Sequence, residues 1–524
     1  MKWKTLVHKG VAFPPEYQPK GFHIKIKGKT IALTPRQEEM AYAWAKKKDT
    51  PYVNDPVFAE NFVKDFVKLF PPEYKDVTIK DIDFSKINEY VEKEKNLVLD
   101  KEAKKKRAAE RKKMREEIKS KYGWAAVDGN KFDIANWLVE PPGIFIGRGS
   151  HPLRGRWKPR VYPEDITLNL GEDAPVPKGN WGQIIHDHDS MWLARWVDKL
   201  ADKEKYVWLS DASTLRQERD RVKYDKANQL GEQIDKVVSK IYQGMESEDI
   251  KQRIIATTCF LIYKLAMRVG DEKDPDEADA VGASTLRVEH IKLNGEAIEF
   301  DFLGKDSVRW QKSIDLNGRD RVVYQNMREF IKQKKPSDLI FSGITSRSVN
   351  NFFGNIMKGL TAKVFRTYLA TEVVTKYLSK ADGEVINGSE HLKLYHAKVA
   401  NLQAAITCNH KRAPPKNYEK SIEKKKEMLK KIKETTPKTE KQAERLKERE
   451  EKVRLQLELA VNTKDYNLGT SLRNYIDPRV YKSWSDHVGL DWTKLYTKAL
   501  QRKFMWVSKS APSWQKIVVL KKTL

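Results

Sequence analysis

Residues 416–461 carry 15 Lys or Arg and 10 Glu, with few apolar residues and Thr435-Thr436-Pro437 in the middle. A stretch this charged cannot form a core, so any fold of the chain must carry it on the outside. Its uninterrupted halves favour helix, and the Thr-Thr-Pro break predicts two antiparallel helices joined by a tight turn. Helices of about 20 residues would project on the order of 30 Å. With so little apolar surface, this arm is expected to pack little against the body and to be mobile. The arm leaves a long region before it and a short, aromatic-bearing helical region after it. At 524 residues the chain exceeds one compact core, and two to four structural units are expected.

Composition supplies the core that the arm lacks. Forty per cent of residues are hydrophobic, with 14 Trp, 20 Tyr and 18 Phe, so this is a folded protein with charged inserts. The net charge of +27 points to a polyanionic partner, nucleic acid first, because clustered Lys and Arg release counterions from phosphates. The two cysteines, Cys259 and Cys408, sit in apolar-flanked stretches and read as buried free thiols. Two cysteines exclude a zinc ribbon, and the His186-Asp187-His188-Asp189 stretch has no further ligands at metal-binding spacing. No metal is therefore expected. There is no apolar run of about 18 residues and no signal-peptide pattern at the start, so an intracellular, membrane-free protein is expected.

Along the chain, residues 22–28 alternate as a strand and residues 57–70 repeat as a helix ended by Pro71-Pro72. Residues 101–121 hold 11 basic and 4 acidic residues with no breaker, which predicts a helix that faces either solvent or DNA. The Pro/Gly/Arg-rich segment 140–160 reads as a loop, and its Arg148, Arg154, Arg156, Lys158 and Arg160 suit phosphate contacts. Residues 205–210 read as a buried strand. Helical periodicity dominates 213–270 and 347–410, separated by a hairpin at 296–314 whose turn carries Gly304-Lys305-Asp306.

Five blocks carry chemistry-bearing residues: LAMRVGDEK (265–273), FDFLGKDSVRW (300–310), LTAKVFRTY (360–368), TCNHKRAPPK (407–416) and LGTSLRNYIDPR (468–479). Together, and in this order, they resemble the active-site blocks of eukaryotic-type DNA topoisomerase IB. The resemblance starts at KWKTLVHKGVAFPPEY (2–17), passes through EPPGIFIGRGSHP (140–152) and ends at QRKFMWV (501–507). It implies an α+β, mostly helical fold: a bilobed DNA clamp with a mixed α/β cap (1–213), a helical catalytic domain carrying a β-hairpin (214–415), an antiparallel helical linker (416–462) and a small helical C-terminal domain (463–524). It implies relaxation of positive and negative supercoils by a monomer acting on double-stranded DNA, without ATP, metal or any cofactor. Tyr475 would be the nucleophile, giving a 3′-phosphotyrosine. Arg268 and Arg366 would hold the scissile phosphate, His410 would donate to a non-bridging oxygen, and Lys305 would protonate the leaving 5′ oxygen. Further DNA contacts fall to Arg148, Arg154, Lys363, Asp306 and Asn474. Arg148, Asp306 and Asn474 also match positions implicated in camptothecin binding.

The resemblance further implies that the loop around Arg148–Arg154 meets the acidic loop Asp274–Asp279 across the DNA. The family has Lys after His-Pro there, whereas this chain has Leu153 and then Arg154, so a closing ion pair would run through Arg154. Nuclear members carry a long charged tail, while this chain enters the shared region at residue 2, which implies a tail-less, archaeal-like member at the nucleoid, or a nuclear one if eukaryotic. Two rivals remain. A tyrosine recombinase shares the Arg, Lys, Arg, Tyr logic, but its second arginine sits in His-x-x-Arg, and this chain has Lys363-Val-Phe-Arg366. Its tyrosine also follows the last His more closely than the 475 − 410 = 65 positions found here. A non-catalytic chromatin protein would fit the charge alone.

Overall fold

The computed structural model describes residues 2–96, 101–271 and 280–522. Contacts gather the chain into two compact units, the first running to Arg216 and the second made of 217–271 and 280–522 among the described residues. About 54% of the structure is helical and the sheets are mixed, with no barrel among the described residues.

The first unit has two cores. In one, strand His23–Ile26 pairs with Lys29–Ala32 and Ile82–Asp83 under helices Pro35–Ala45 and Pro56–Phe66. Both helices begin where the sequence dictates: Thr34 forms a capping box with Gln37 ahead of Pro35, and Asp55 accepts from Val57 and Phe58 N–H ahead of Pro56. Phe58, Phe62 and Phe66, spaced one turn apart, are fully buried, and Phe62 stacks on Trp44 at 4.5 Å. The helix passes into a short 3-10 turn, Val67–Leu69, before the two prolines. The second core lies between the sheet of Leu6–His8, Trp124–Val127 and Asn130–Asp133 and a four-stranded sheet, in which Gln183–Ile185 is parallel to Thr167–Asn169. Lys203–Trp208 is the edge strand of that second sheet; within the 205–210 stretch expected as a buried strand, Val207 and Leu209 are buried and the other residues half-buried. The basic helix spans Lys101–Tyr122. His186 Nδ1 meets the Leu170 carbonyl and His188 Nδ1 the Trp3 carbonyl, so both rings serve the local fold.

The basic loop is the first larger correction. Its strands Gly143–Ile144 and Trp157–Lys158 pair, and the connection folds onto helix Pro56–Phe66 so closely that a Cβ at Gly155 would lie 2.0 Å from the Phe58 carbonyl oxygen. Held there, the loop engages four of its cations within the unit, while Arg148 stays exposed. Arg154 makes a two-pronged pair with Asp55 (2.6 and 3.1 Å) and Arg156 one with Asp65 (2.7 and 2.9 Å). Lys158 pairs with Asp198 at 3.0 Å, and Arg160 donates to the Pro14 and Pro15 carbonyls. These four side chains hold the unit together, each engaged by a partner of its own. The acidic loop Asp274–Asp279, the expected partner of Arg154, lies outside the described residues.

The second unit is built on helix Thr214–Glu232 from Gln217 onward and on helices Ile234–Met245, Ile250–Leu265, Ala362–Val385 and Glu390–Thr407. The 296–314 alternation forms the hairpin Ala297–Gly304 and Val308–Asp315, with Ile298, Phe300 and Phe302 facing the core and Lys305–Ser307 forming a 3-10 turn. A second core joins the Ala362–Val385 and Glu390–Thr407 helices to the C-terminal region through Trp484, Tyr481, Ile476 and Phe504.

The charged segment is two helices, Tyr418–Glu434 and Glu440–Asn462, folded back so that Lys433 Nζ lies 3.7 Å from Glu450. It is better anchored than its composition implies. Val453 and Leu455 are buried, the Ser389 hydroxyl donates to Glu451 at 2.6 Å, and the Tyr395 hydroxyl bonds Glu458, both from the neighbouring Glu390–Thr407 helix. Two carboxylate hydrogen bonds thus dock its second helix, which differs from the expectation of an arm that packs little.

Candidate active site

Four of the expected side chains arrive from four helix ends or first turns. Helix Ile250–Leu265 stops at Ala266, whose left-handed φ of +52° turns the chain out before Arg268. Just beyond, Gly270 and Gly282 touch backbone to backbone: a Cβ at Gly282 would sit 2.5 Å from Gly270 Cα. That approach lets Ala283 N–H donate to the Arg268 carbonyl at 2.8 Å, which fixes the arginine's backbone. Arg366 lies in the first turns of Ala362–Val385, only 3% exposed, with Nη1 on the Ala266 carbonyl and Nη2 on the Cys408 carbonyl at 2.9 Å. His410 follows the end of Glu390–Thr407 after Asn409 at φ +53°, and its N–H bonds the Ala405 carbonyl at 2.8 Å. Tyr475 directly follows the short helix Leu468–Asn474 and is 7% exposed.

Around the tyrosine the charges converge. Arg268 Nη1 donates to Tyr475 Oη at 3.2 Å. The Arg366 guanidinium lies 5.1 Å from the tyrosine ring centroid, and the His410 ring centroid 5.0 Å from it. Arg366 Nη2 is 3.4 Å from His410 Nε2. Burial raises the Tyr475 phenol pKa, but the charges of Arg366 and Arg268 and the Arg268 hydrogen bond outweigh it and leave the phenol below its ordinary value. Burial, reinforced by the same two arginines, pushes His410 down to about 3, so its ring is neutral at pH 7. Arg366 Nε and His410 Nδ1 are buried without a hydrogen-bond partner among the described residues. A donor set with unmet capacity beside a phenol is suited to an oxyanion.

Arg268, Arg366 and His410 line a cleft of about 120 Å³ together with Lys305, Gly304 and Thr470. Lys305 stands exposed on the hairpin turn, on the cleft wall rather than in contact with the phenol. Asp306 shares that turn, and its side chain lies outside the described residues. Lys363 is exposed one turn before Arg366, and Asn474 ends the helix that precedes the tyrosine, its amide donating to the Thr470 carbonyl at 3.2 Å. Arg148 and Arg154 belong to the first unit. A larger groove of about 860 Å³ between Val53 and Lys80, also in the first unit, contains none of these residues.

Sequence reasoning passed over the residues that hold the tyrosine. The Thr371 hydroxyl donates to the Tyr475 carbonyl at 3.3 Å and accepts from Asp477 N–H at 3.0 Å. Lys223 Nζ donates to the Asn474 carbonyl at 3.1 Å. Asp477 caps helix Pro478–Val488 and chelates Arg479, which also reaches Asp225 at 2.7 Å. Only Asp477 had a local signal, the Asp-Pro pair that marks a helix start.

Family models match nearly the whole chain in three consecutive pieces. Residues 1–209 match the DNA binding fragment of eukaryotic DNA topoisomerase I, 212–443 its catalytic core, and 447–516 a C-terminal topoisomerase domain. Among curated proteins, DNA topoisomerase 1 alpha of Arabidopsis thaliana is 36% identical across 98% of this chain and 59% of its own length. DNA topoisomerase 1 of Drosophila melanogaster is 35% identical across 97% of the chain and 54% of its own length. DNA topoisomerase 1 of Homo sapiens is 35% identical across 97% of the chain and 71% of its own length. The chain thus spans between half and three quarters of the relatives it matches.

Proposed function

Because the chain belongs to the eukaryotic DNA topoisomerase I family, we propose that it is a type IB DNA topoisomerase, relaxing positive and negative supercoils by cutting and rejoining one strand of a duplex. The observation that carries this reading is the hydrogen bond from Arg268 to the Tyr475 hydroxyl, with Arg366 and His410 against the same ring. The reaction needs a nucleophile, several donors on the phosphate oxygens and an acid for the leaving group. Tyr475 Oη attacks phosphorus as its proton passes to water; the P–O5′ bond breaks, and the 5′ oxygen takes a proton from Lys305. Arg268 and Arg366 neutralise the non-bridging oxygens, and the neutral His410 donates its ring N–H to one of them. Two guanidinium groups supply the charge that a divalent metal would otherwise bring, so no metal is required. The phosphotyrosine bond retains the energy for religation, so ATP is not required either. Strand rotation while the 3′ end is held changes the linking number. Double-stranded DNA as partner is supported by the match of residues 1–209 to a DNA binding fragment. The division into a cap (1–213), catalytic domain (214–415), linker (416–462) and C-terminal domain (463–524) is part of the same proposal.

The test is relaxation of positively and negatively supercoiled plasmids in EDTA without ATP, with trapping of covalent adducts. Wild type should relax both and form adducts, while Tyr475→Phe should bind DNA and form none. Relaxation that requires Mg²⁺, or adducts that persist in Tyr475→Phe, would overturn the reading.

A further inference from the structure

Behind the cleft lies an amine that the mechanism does not use. Lys312, on strand Val308–Asp315, donates from Nζ to the Leu265 carbonyl at 3.0 Å and to the Thr407 carbonyl at 2.6 Å. These are the last residues of helices Ile250–Leu265 and Glu390–Thr407. Arg366 takes the very next carbonyl after each helix, Ala266 and Cys408. Two cations thus bind four consecutive-pair carbonyls at two helix C-termini. Such carbonyls lack helical partners and carry the negative end of the helix dipole, so a cation there is favoured.

Arg268 lies three residues after Leu265, and His410 three residues after Thr407. The Lys312 ammonium therefore ties together the two helix ends from which the cleft's first arginine and its histidine depart. We propose that Lys312 is a positioning residue for strand cleavage, its charge fixing the spacing between Arg268 and His410 around the phosphate. This rests on the reading of Arg268 and His410 as phosphate-holding groups.

The environment makes the charge testable. Facing Nζ are Arg366 from Ala362–Val385, Cys408 and Lys411 from the segment after Glu390–Thr407, the Leu265 carbonyl from Ile250–Leu265, and the Trp310 ring on its own strand at 5.5 Å. Burial lowers the amine to about 8; Cys408 works against that shift, while Arg366 and Lys411 add to it. The ammonium is then present below about pH 8 and is lost above it.

The experiment is single-turnover cleavage of a suicide duplex by the full chain, read as covalent adduct, from about pH 6.5 to about pH 9.5. Wild type, Lys312→Met and Lys312→Arg are compared, with duplex affinity measured in parallel. At low pH, Lys312→Met should cleave roughly 10–100-fold more slowly than wild type, with unchanged affinity. That deficit should shrink as pH rises through about 8, because wild type then loses the same charge. Lys312→Arg, charged throughout, should gain on wild type over the same interval. A deficit constant with pH, or no deficit, overturns the proposal. If Lys312→Met does not fold, parallel pH profiles for wild type and Lys312→Arg overturn it, and divergence above about pH 8 supports it. Absence of adduct from wild type itself would instead sink the cleavage reading, and the positioning role with it.

Discussion

Arg268 Nη1 lies 3.2 Å from Tyr475 Oη, a contact between residues 207 positions apart. Burial raises the phenol pKa, while Arg366 and Arg268 together bring it below its ordinary value. Cleavage by wild type should therefore rise with pH at lower pH than an unperturbed tyrosine allows. Arg268→Ala removes one of the two opposing charges, so the rise should move to higher pH and the rate at neutral pH should fall by roughly 100-fold or more. Single-turnover rates across pH check this; an unmoved profile would mean that Arg268 does not tune the phenol.

Thr371 is the buried clasp of the tyrosine's main chain, bonding the Tyr475 carbonyl and the Asp477 N–H. Thr371→Val leaves both groups unsatisfied and should cost about 1–3 kcal/mol of stability. Cleavage should drop more than duplex affinity, because the nucleophile and not the DNA surface loses its fix. Thr371→Ser should restore both. Equal loss of affinity and cleavage in a folded Thr371→Val would argue against this role.

Arg154 is engaged by Asp55, which also caps helix Pro56–Phe66. Arg154→Ala should lower the stability of the first unit by about 1 kcal/mol. It should leave the salt dependence of DNA binding unchanged, whereas loss of a true phosphate contact lowers that slope by about one. Binding isotherms over a salt series decide between the two.

His8 is buried in the first unit, donating from Nε2 to the Asn169 carbonyl (3.0 Å) and accepting Gly10 N–H at Nδ1 (3.1 Å). Burial lowers its pKa to about 4, against the upward pull of the Asn169 carbonyl. Above the ordinary value of 6.5 the ring is neutral whether folded or unfolded. As pH falls from there toward about 4, only the unfolded chain takes the proton, so folding loses stability across that window, on the order of 3 kcal/mol in full. The protection factors of amides on strand Leu6–His8, corrected for the pH dependence of intrinsic exchange, should fall over that window in wild type. In His8→Gln the slope should flatten; an unchanged slope would place the effect on another group.

The amino-acid sequence by itself determined the local elements. Alternation set the hairpin around Lys305, breaker-free charge set the two arm helices, and Asp-Pro pairs set helix starts at Pro56 and Pro478. These follow from periodicity and capping, which act over a few residues. Its ordered blocks also named Arg268, Arg366, His410 and Tyr475, which the structure gathers around one phenol. Only the tertiary structure decided what each cation touches. The fold sets Asp55 beside Arg154, and it closes two distant helix ends on the amine of Lys312. The arm's docking turned on two carboxylates, Glu451 and Glu458, meeting hydroxyls at one helix, a detail that average composition hides. A charge's role is set by the partner within about 4 Å, and for these side chains that partner lies tens to hundreds of positions away along the chain.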